Sequence, residues 1–317
     1  MKKAIAVIGP TACGKTAFAV RLARTLKGEI VSADSRQVYC GLDIGSGKDL
    51  AEYSAGGEPV KYHLIDIADP SSSFTLSDYL RQASTALEDI ISRQKLPILA
   101  GGTALYIDAL LKGYALPGGP PDSALRRNLE ALDNESLSAM LPQIGRDEGE
   151  ETNRQRLLRR IELASTRAEG SGAPERLFRA DWLALGIRFD RKIMHQRIEA
   201  RLDARLGQGM LEEVAALHDA GVSWERLERF GLEYRQAALH LQGLMNFRDM
   251  RDSLLIKIRQ FAKRQDSWFR KMEREGLRIY WFEPGDFEQA NALTSSFLRN
   301  ETLPEPSFRL KDVDFGA

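Results

Sequence analysis

The run Gly9-Pro10-Thr11-Ala12-Cys13-Gly14-Lys15-Thr16 fits the pattern G-x-x-x-x-G-K-[ST] in full. It lies between an apolar run, Ala4–Ile8, and a helical pattern from Lys15 to Leu26. That is where such a pattern has physical meaning. Its glycines let successive backbone N–H groups turn toward an anion, and the helix start adds partial positive charge. These eight residues are therefore candidate ligands of a diphosphate or triphosphate, with Lys15 reaching the terminal phosphates and Thr16 holding Mg²⁺. A chance glycine-rich turn would not have strand and helix both in register. Cys13 is either a small filler of the tight loop or a thiol eased toward thiolate by the helix start.

Three further strand ends offer groups to the same crevice, because ligands of open α/β sheets sit beyond the carboxyl ends of strands. Asp34, in Ser32-Ala-Asp34-Ser35-Arg36-Gln37, can hold Mg²⁺ through water, accept a proton from a nucleophile, or cap a helix beginning near Ser35. Asp66 and Asp69 can act as a carboxylate near the metal or cap the next helix. Gly101-Gly102-Thr103 permits close backbone approach and presents a hydroxyl; a structural turn is the competing reading.

The elements that must position these groups alternate. Strand runs are read at 4–8, 29–33, 62–67, 96–100, 182–187 and 277–282, and helical patterns at 15–26, 77–93, 190–206, 210–220, 233–241 and 250–275. Strand–helix alternation with short connections predicts an α/β fold on a mostly parallel sheet. Breaker clusters at 116–121 and 169–174 bound a helical stretch. The expected organisation is a phosphate-loop core over 1–117 plus 181–300, a helical insertion domain over 118–180, and a polar tail over 301–317.

At 317 residues the chain has length for one large domain or two. With 45 basic and 45 acidic side chains its formal net charge is zero, which excludes a general polyanion binder. Two cysteines and four scattered histidines exclude a disulfide framework and zinc-site spacing. The apolar run at the start stops at Gly9-Pro10, too early for a signal peptide, and no stretch approaches the ~20 residues of a spanning helix. The sequence thus reads as cytoplasmic.

Charge is nonetheless segregated. From Leu254 to Arg274, the apolar residues Leu254, Leu255, Ile258, Phe261, Ala262, Trp268, Phe269 and Met272 fall within about 140° of a helical wheel and seven cations fall on the other side. Against Asp266 and Glu273 that leaves a local +5. A second basic cluster, Arg154-Gln155-Arg156-Leu-Leu-Arg159-Arg160, follows an acidic stretch of −6 at 128–151. One-signed helix faces point to an anionic partner rather than ordinary solvated surface.

In order along nearly the whole chain, five blocks resemble the tRNA dimethylallyltransferase (tRNA isopentenyltransferase) family. They are the phosphate loop; Asp34-Ser-Arg-Gln37 through Tyr39 with Gly41-Leu-Asp-Ile-Gly45; His63-Leu-Ile-Asp66; Gly101-Gly-Thr-Ala-Leu-Tyr106; and Gln260–Arg270. The resemblance implies that the loop holds dimethylallyl diphosphate and that the acceptor is N6 of the adenosine 3′ of the anticodon, position 37. It implies catalytic roles for Asp34, Thr103 and Lys15, with Asp34 as general base. It places tRNA against Asp34, Ser35, Arg36, Gln37, Thr103, Gln155, Arg156, Arg159, Lys263, Arg264 and Gln265, and Mg²⁺ at Thr16. Partners would be tRNA and dimethylallyl diphosphate, with no membrane and a monomeric protein.

Departures fall at Gly45-Ser-Gly-Lys48, where the family commonly reads G-T-A-K, and at Glu151–Glu162. Another falls at Phe230–Arg235, where Arg229 or Arg235 could assist the diphosphate. Two other readings share the phosphate loop: a small-metabolite kinase using ATP, and a non-catalytic RNA-binding protein with a regulatory nucleotide site. Against the first stands the absence of an arginine-rich lid, and against the second the intact Lys15, Thr16 and Asp34.

Overall fold

The computed structural model describes residues 2–114, 123–140, 154–167 and 178–313. Apolar runs become β1 (Lys3–Ile8), β2 (Gly28–Ala33), β3 (Tyr62–His63), β4 (Leu96–Gly101), β5 (Asp181–Ile187) and β6 (Ile279–Phe282). They form one parallel sheet in the order β3-β2-β4-β1-β5-β6. β1 lies between β4 and β5, with Ile5 opposite Ile98 on one side and Leu183 on the other. Residues Ala4 to Ile8 are wholly shut from water, as an apolar run without alternation requires when both sheet faces are covered.

The crossovers are α1 (Lys15–Leu26), the short α2 (Ala51–Ser54), α3 (Leu76–Ser92) and α4 (Ala104–Lys112). A helical stretch follows with α5 (Ser123–Glu130), α6 (Asn134–Met140) and α7 (Arg154–Arg167). After β5 come α8 (Arg191–Gly207), α9 (Met210–Asp219), α10 (Trp224–Arg229), α11 (Leu232–Leu241) and α12 (Phe247–Arg274), then α13 (Phe287–Leu298) beyond β6. Phe18 and Leu22 of α1, Ile198 and Leu202 of α8, and Leu254 and Ile258 of α12 share the main core with the sheet. A second cluster joins Val38 and Leu42 to Val214, Leu217 and Tyr234. The apolar arc read on the α12 wheel is the buried face, with Leu254, Leu255, Ile258, Ala262, Phe269 and Met272 inside.

The chain divides into two compact units, Met1–Lys112 with Phe178–Ala317, and Gly113–Leu177. In the second, Leu129, Leu137, Leu157, Leu158 and Ile161 form a small core of their own. Glu162, buried there, holds Arg126 at 2.8 Å and Arg159 at 3.2 Å. Among the described residues, no helix is long and apolar enough to cross a membrane.

Two expectations change. The strand expected at 62–67 ends at His63, because Leu64 and Asp66 take positive φ (64° and 55°) and the chain turns. Its apolar character has another origin: Leu64 and Ile65 are buried in a turn. The polar tail expected from 301 is tied down: Leu310 is buried, Arg270 Nε donates to its carbonyl at 3.0 Å, and Lys311 N donates to Glu273 at 2.7 Å. Tyr280 also donates to the Pro304 carbonyl at 2.9 Å.

The outer half of the sheet is fastened by Glu29, buried on β2. Arg93 grips both its oxygens, and His63 Nε2 lies 2.8 Å away. These hydrogen bonds, Arg93 first, hold the Glu29 carboxyl down at about 2 against an ordinary 4.5. A depressed carboxyl stabilises the fold fully above its unfolded pKa and loses that contribution as pH falls through the folded one. Urea denaturation from pH 6 to pH 2 should therefore show stability falling between about 4.5 and 2, by on the order of 3 kcal/mol from this group. Glu29→Gln should be less stable at pH 6 and lack that component. Equal acid sensitivity in variant and wild type would refute the assignment.

Candidate active site

The loop between β1 and α1 is shaped by space as much as by conformation. A Cβ on Gly9 would stand 2.3 Å from the Ile187 carbonyl and 2.8 Å from Cys13 Sγ, so nothing larger fits against β5. Ala12 and Gly14 take left-handed φ of 62° and 83°, curling the loop's amides inward. α1 starts at Lys15 with no side-chain cap and no acid in its first turn, leaving its positive end to an anion. Lys15 Nζ reaches across to the Pro10 carbonyl at 3.3 Å. Cys13 is fully buried and burial pushes its thiol up, so it is a core filler rather than an eased thiolate.

Gln265 of α12 ties this loop to the neighbouring strand end. Its Oε1 accepts from Thr11 N at 2.8 Å and its Nε2 donates to the Gly102 carbonyl at 2.7 Å. Gly101 packs so tightly on β2 that a Cβ would meet the Ala33 carbonyl at 2.2 Å. Thr103 N in turn donates to that carbonyl at 3.0 Å. The Thr103 hydroxyl accepts from Ser35 N at 3.0 Å, coupling the turn after β4 to the turn after β2.

Asp34 opens the latter turn. Its Oδ1 accepts from Arg36 N at 2.9 Å, and residues 35–38 are a turn rather than the helix an N-cap would start. The Arg36 guanidinium is turned aside to Glu233 at 2.6 Å and is 4.0 Å from Asp34. Gln37 is bonded at both ends, from Ser32 Oγ at 3.1 Å and to the Gly47 carbonyl at 3.0 Å.

These groups line one cavity of about 400 Å³. Thr11, Ala12, Gly14, Lys15 and Thr16 form one wall. Asp34, Arg36, Gln37, Gly102, Thr103 and Gln265 form another. Not foreseen is a third wall, Arg197, Arg201 and Arg205 of α8. Arg197 Nε donates to the Ala12 carbonyl at 2.9 Å and Arg201 pairs with Asp49 at 2.7 Å. Arg205 is buried 3.7 Å from Glu233, and burial lowers its pKa to about 10, which leaves it charged at neutral pH. Gly47, at φ 67°, makes room: a Cβ there would stand 1.6 Å from Arg205 Nη2. The spacing of four residues was a readable signal, since 197, 201 and 205 share one helix face.

Several sequence-based assignments move accordingly. Arg229 and Arg235 are exposed and do not line the cavity; the α8 arginines occupy the place proposed for them. Asp66 is taken by the buried Lys48, which also holds Asp43 at 2.6 Å, and Asp69 caps Ser71 at 2.7 Å. Gln265 is buried and does not share the outer face of α12 with the exposed Lys263 and Arg264. Arg159 is engaged by Glu162, while the side chains of Gln155 and Arg156 lie outside the described residues.

Oxygen donors suited to Mg²⁺ are present: the Thr16 hydroxyl, Asp34 and Glu52 line the cavity, and Glu52 Oε2 is buried without a partner. Burial and neighbouring Asp49 raise the proton affinity of Glu52. Among the described residues no group of three acidic, His or Cys side chains forms a metal cage. The donors therefore suit an ion that arrives with a phosphate rather than one held by protein alone.

A family model described as IPP transferase matches residues 37–272, and one described as isopentenyl transferase matches 2–66. The chain is 46% identical to "tRNA dimethylallyltransferase 1" of Syntrophus aciditrophicus over 95% of its own length and 100% of the relative's. It is 45% identical to the protein of that name from Hahella chejuensis, covering 91% and 94%. Among solved structures it resembles the full-length tRNA isopentenylpyrophosphate transferase of Bacillus halodurans, with TM-score 0.70, 30% identity and coverage of 95% and 98%. A eukaryotic dimethylallyltransferase acting on tRNA shares the fold, with TM-score 0.77 at 23% identity and coverage of 96% and 81%.

Replacing Gln265 by Ala orphans the Thr11 amide and the Gly102 carbonyl. Stability should fall by about 2–6 kcal/mol, from about one to three for each of the two groups left unpaired. Pyrophosphate affinity by calorimetry should drop about tenfold as the loop loosens. A variant with wild-type melting and pyrophosphate binding would show that this clamp does not hold the loop.

Proposed function

The chain belongs to the IPP transferase family of tRNA dimethylallyltransferases and prenylates tRNA, and we propose that the donor is dimethylallyl diphosphate and the acceptor N6 of the adenosine 3′ of the anticodon. The observation that carries this reading is a single cavity shared by a diphosphate loop and by the Asp34–Thr103 side of the sheet. A phosphate-holding loop alone would serve a kinase equally well.

The chemistry follows from what the walls offer. The amides of residues 11–16, the start of α1, Lys15 and the α8 arginines stabilise negative charge on a departing diphosphate. Bound Mg²⁺, held by Thr16 with Asp34 or Glu52 through water, would add charge at those oxygens. The allylic C1–O bond breaks as the N6–C1 bond forms, and electrons of the broken bond leave with diphosphate. An adenine amine is a weak nucleophile, so its proton must leave during attack, and the Asp34 carboxylate receives it. Among the described residues only Oδ1 of Asp34 is engaged, which leaves Oδ2 for that proton. Thr103, with its hydroxyl fixed by Ser35 N, orients the base. An adenine in a folded loop reaches the cavity only by leaving its stack.

In this reading Lys263 and Arg264 meet the RNA backbone from the exposed side of α12, as do Gln155, Arg156 and Arg159 from the insertion over 118–180. Ser35 contributes its hydroxyl, while Arg36 and Gln37 position the crevice wall. The protein works as a monomer in the cytoplasm, where its substrate is.

Asp34→Ala should lower the single-turnover rate of prenyl transfer by 10²–10⁴, the range general-base groups supply. Binding of tRNA and of pyrophosphate should stay within a few-fold of wild type. Transfer near the wild-type rate would remove Asp34 from the base role.

A further inference from the structure

A second cavity, of about 200 Å³, lies behind the phosphate loop between the start of α8 and the middle of α12. It shares only Pro10 with the loop, and no residue with the catalytic cavity. Its apolar lining is Pro10, Phe189, Met194 and Ala262. Five cations surround it: Arg188, Arg191, Arg259, Lys263 and Arg270. One carboxylate, Asp266, stands among them.

The polar groups here are poorly satisfied. Arg259 pairs with Glu199 through Nη2 at 2.9 Å, but its Nε is buried with no acceptor. Arg188 faces the Phe308 ring at 4.4 Å. Among the described residues neither it, Arg191 nor Lys263 has a carboxylate within 4.0 Å. Arg270 donates to the Leu310 and Val313 carbonyls. Asp266 has no hydrogen-bond or ion-pair partner among the described residues, and burial pushes its pKa up to about 6 although Arg188, Arg270 and Arg191 pull it down. A buried donor without an acceptor, beside a half-buried carboxylate without a partner, leaves the cavity organised for something that supplies both.

A simple anion would meet the cations but be repelled by Asp266. A ligand carrying a phosphate, a flat ring and an amino group satisfies every wall. The phosphate faces the arginines, the ring lies on Phe189, and the amine donates to Asp266. We propose that this cavity takes one nucleotide with an exocyclic amine, contributed by the anticodon loop of the tRNA substrate. The inference rests on tRNA being the substrate. It also gives a use to the cationic side of α12, since Lys263 borders the cavity. A nucleotide seated against Pro10 would report RNA engagement directly to the phosphate loop.

The test uses anticodon stem-loops, each with one abasic residue in the loop at a position other than the acceptor adenosine, titrated against the full chain with pyrophosphate present. In wild type, one abasic position should weaken binding about tenfold, the magnitude of a stacked, hydrogen-bonded base. Asp266→Ala should weaken the intact RNA about as much, and the two changes together should weaken it no further. Should Asp266→Ala fail to fold, Arg191→Ala, an exposed position, reads the same site. It should lower the slope of log K against log salt by about 0.7–0.9, one phosphate contact. AMP and CMP are titrated in parallel. If a free nucleotide binds in an Asp266-dependent way while no RNA position couples, the cavity is a free-nucleotide site and the tRNA assignment is overturned. If nothing couples and neither nucleotide binds, the proposal fails entirely. Prenyl transfer to the intact stem-loop, measured alongside, separates either failure from failure of the proposed activity.

Discussion

In the proposed reaction the active site has to keep a carboxylate available beside cations that hold an anion. Asp34 shares a cavity with Lys15, Arg36, Arg197, Arg201 and Arg205. A direct ion pair with any of them would tie up the oxygens that should receive the substrate proton. The nearest cations have closer partners of their own, and Arg36 comes no nearer to Asp34 than 4.0 Å. Glu233 takes Arg36 at 2.6 Å and also lies 3.7 Å from Arg205, and Asp49 takes Arg201. The buried pairs at Glu233 add little net stability, because desolvation offsets attraction, but they fix where charge sits. Around that arrangement the fold does mainly geometric work. Glycines at 9, 47 and 101 let backbone and arginine approach at distances no side chain would allow, and Gln265 joins the two strand ends that face each other.

Zero net charge fits the same logic. The seven cations of α12 between Leu254 and Arg274 are not a uniform patch. Arg259 pairs with Glu199, and Arg270 holds the segment after 301 in place. Lys263 and Arg264 remain on the exposed side. In the proposed reading attraction for RNA is thus local, at a few positions, with a balanced surface elsewhere that avoids indiscriminate binding.

Much of this was legible in the sequence where the signal is local. The phosphate loop, the buried run of β1 and the amphipathic α12 depend on neighbours within one turn or one strand, and each lies where its pattern placed it. The misreadings share a cause. Asp66 and the segment after Tyr62 read as a strand end because the apolar run continues, yet Lys48, eighteen residues earlier, fixes them as a turn. Gln265 sits among cations in sequence, but its partners are 254 and 163 residues away. Arg197, Arg201 and Arg205 were readable as one helix face; what the sequence could not show is that this face meets the phosphate loop.

In the proposed reaction the diphosphate held in the loop between β1 and α1 is the leaving group of a prenyl transfer. The most direct measurement is to give the wild-type protein unmodified tRNA with dimethylallyl diphosphate labelled in the prenyl group, and separately with ATP labelled in the γ-phosphate. This reaction puts prenyl label in tRNA, located at the adenosine 3′ of the anticodon after nuclease digestion, with release of one diphosphate per label and no label from ATP. Label from ATP in place of the prenyl group, or no transfer to tRNA from either donor, would contradict it.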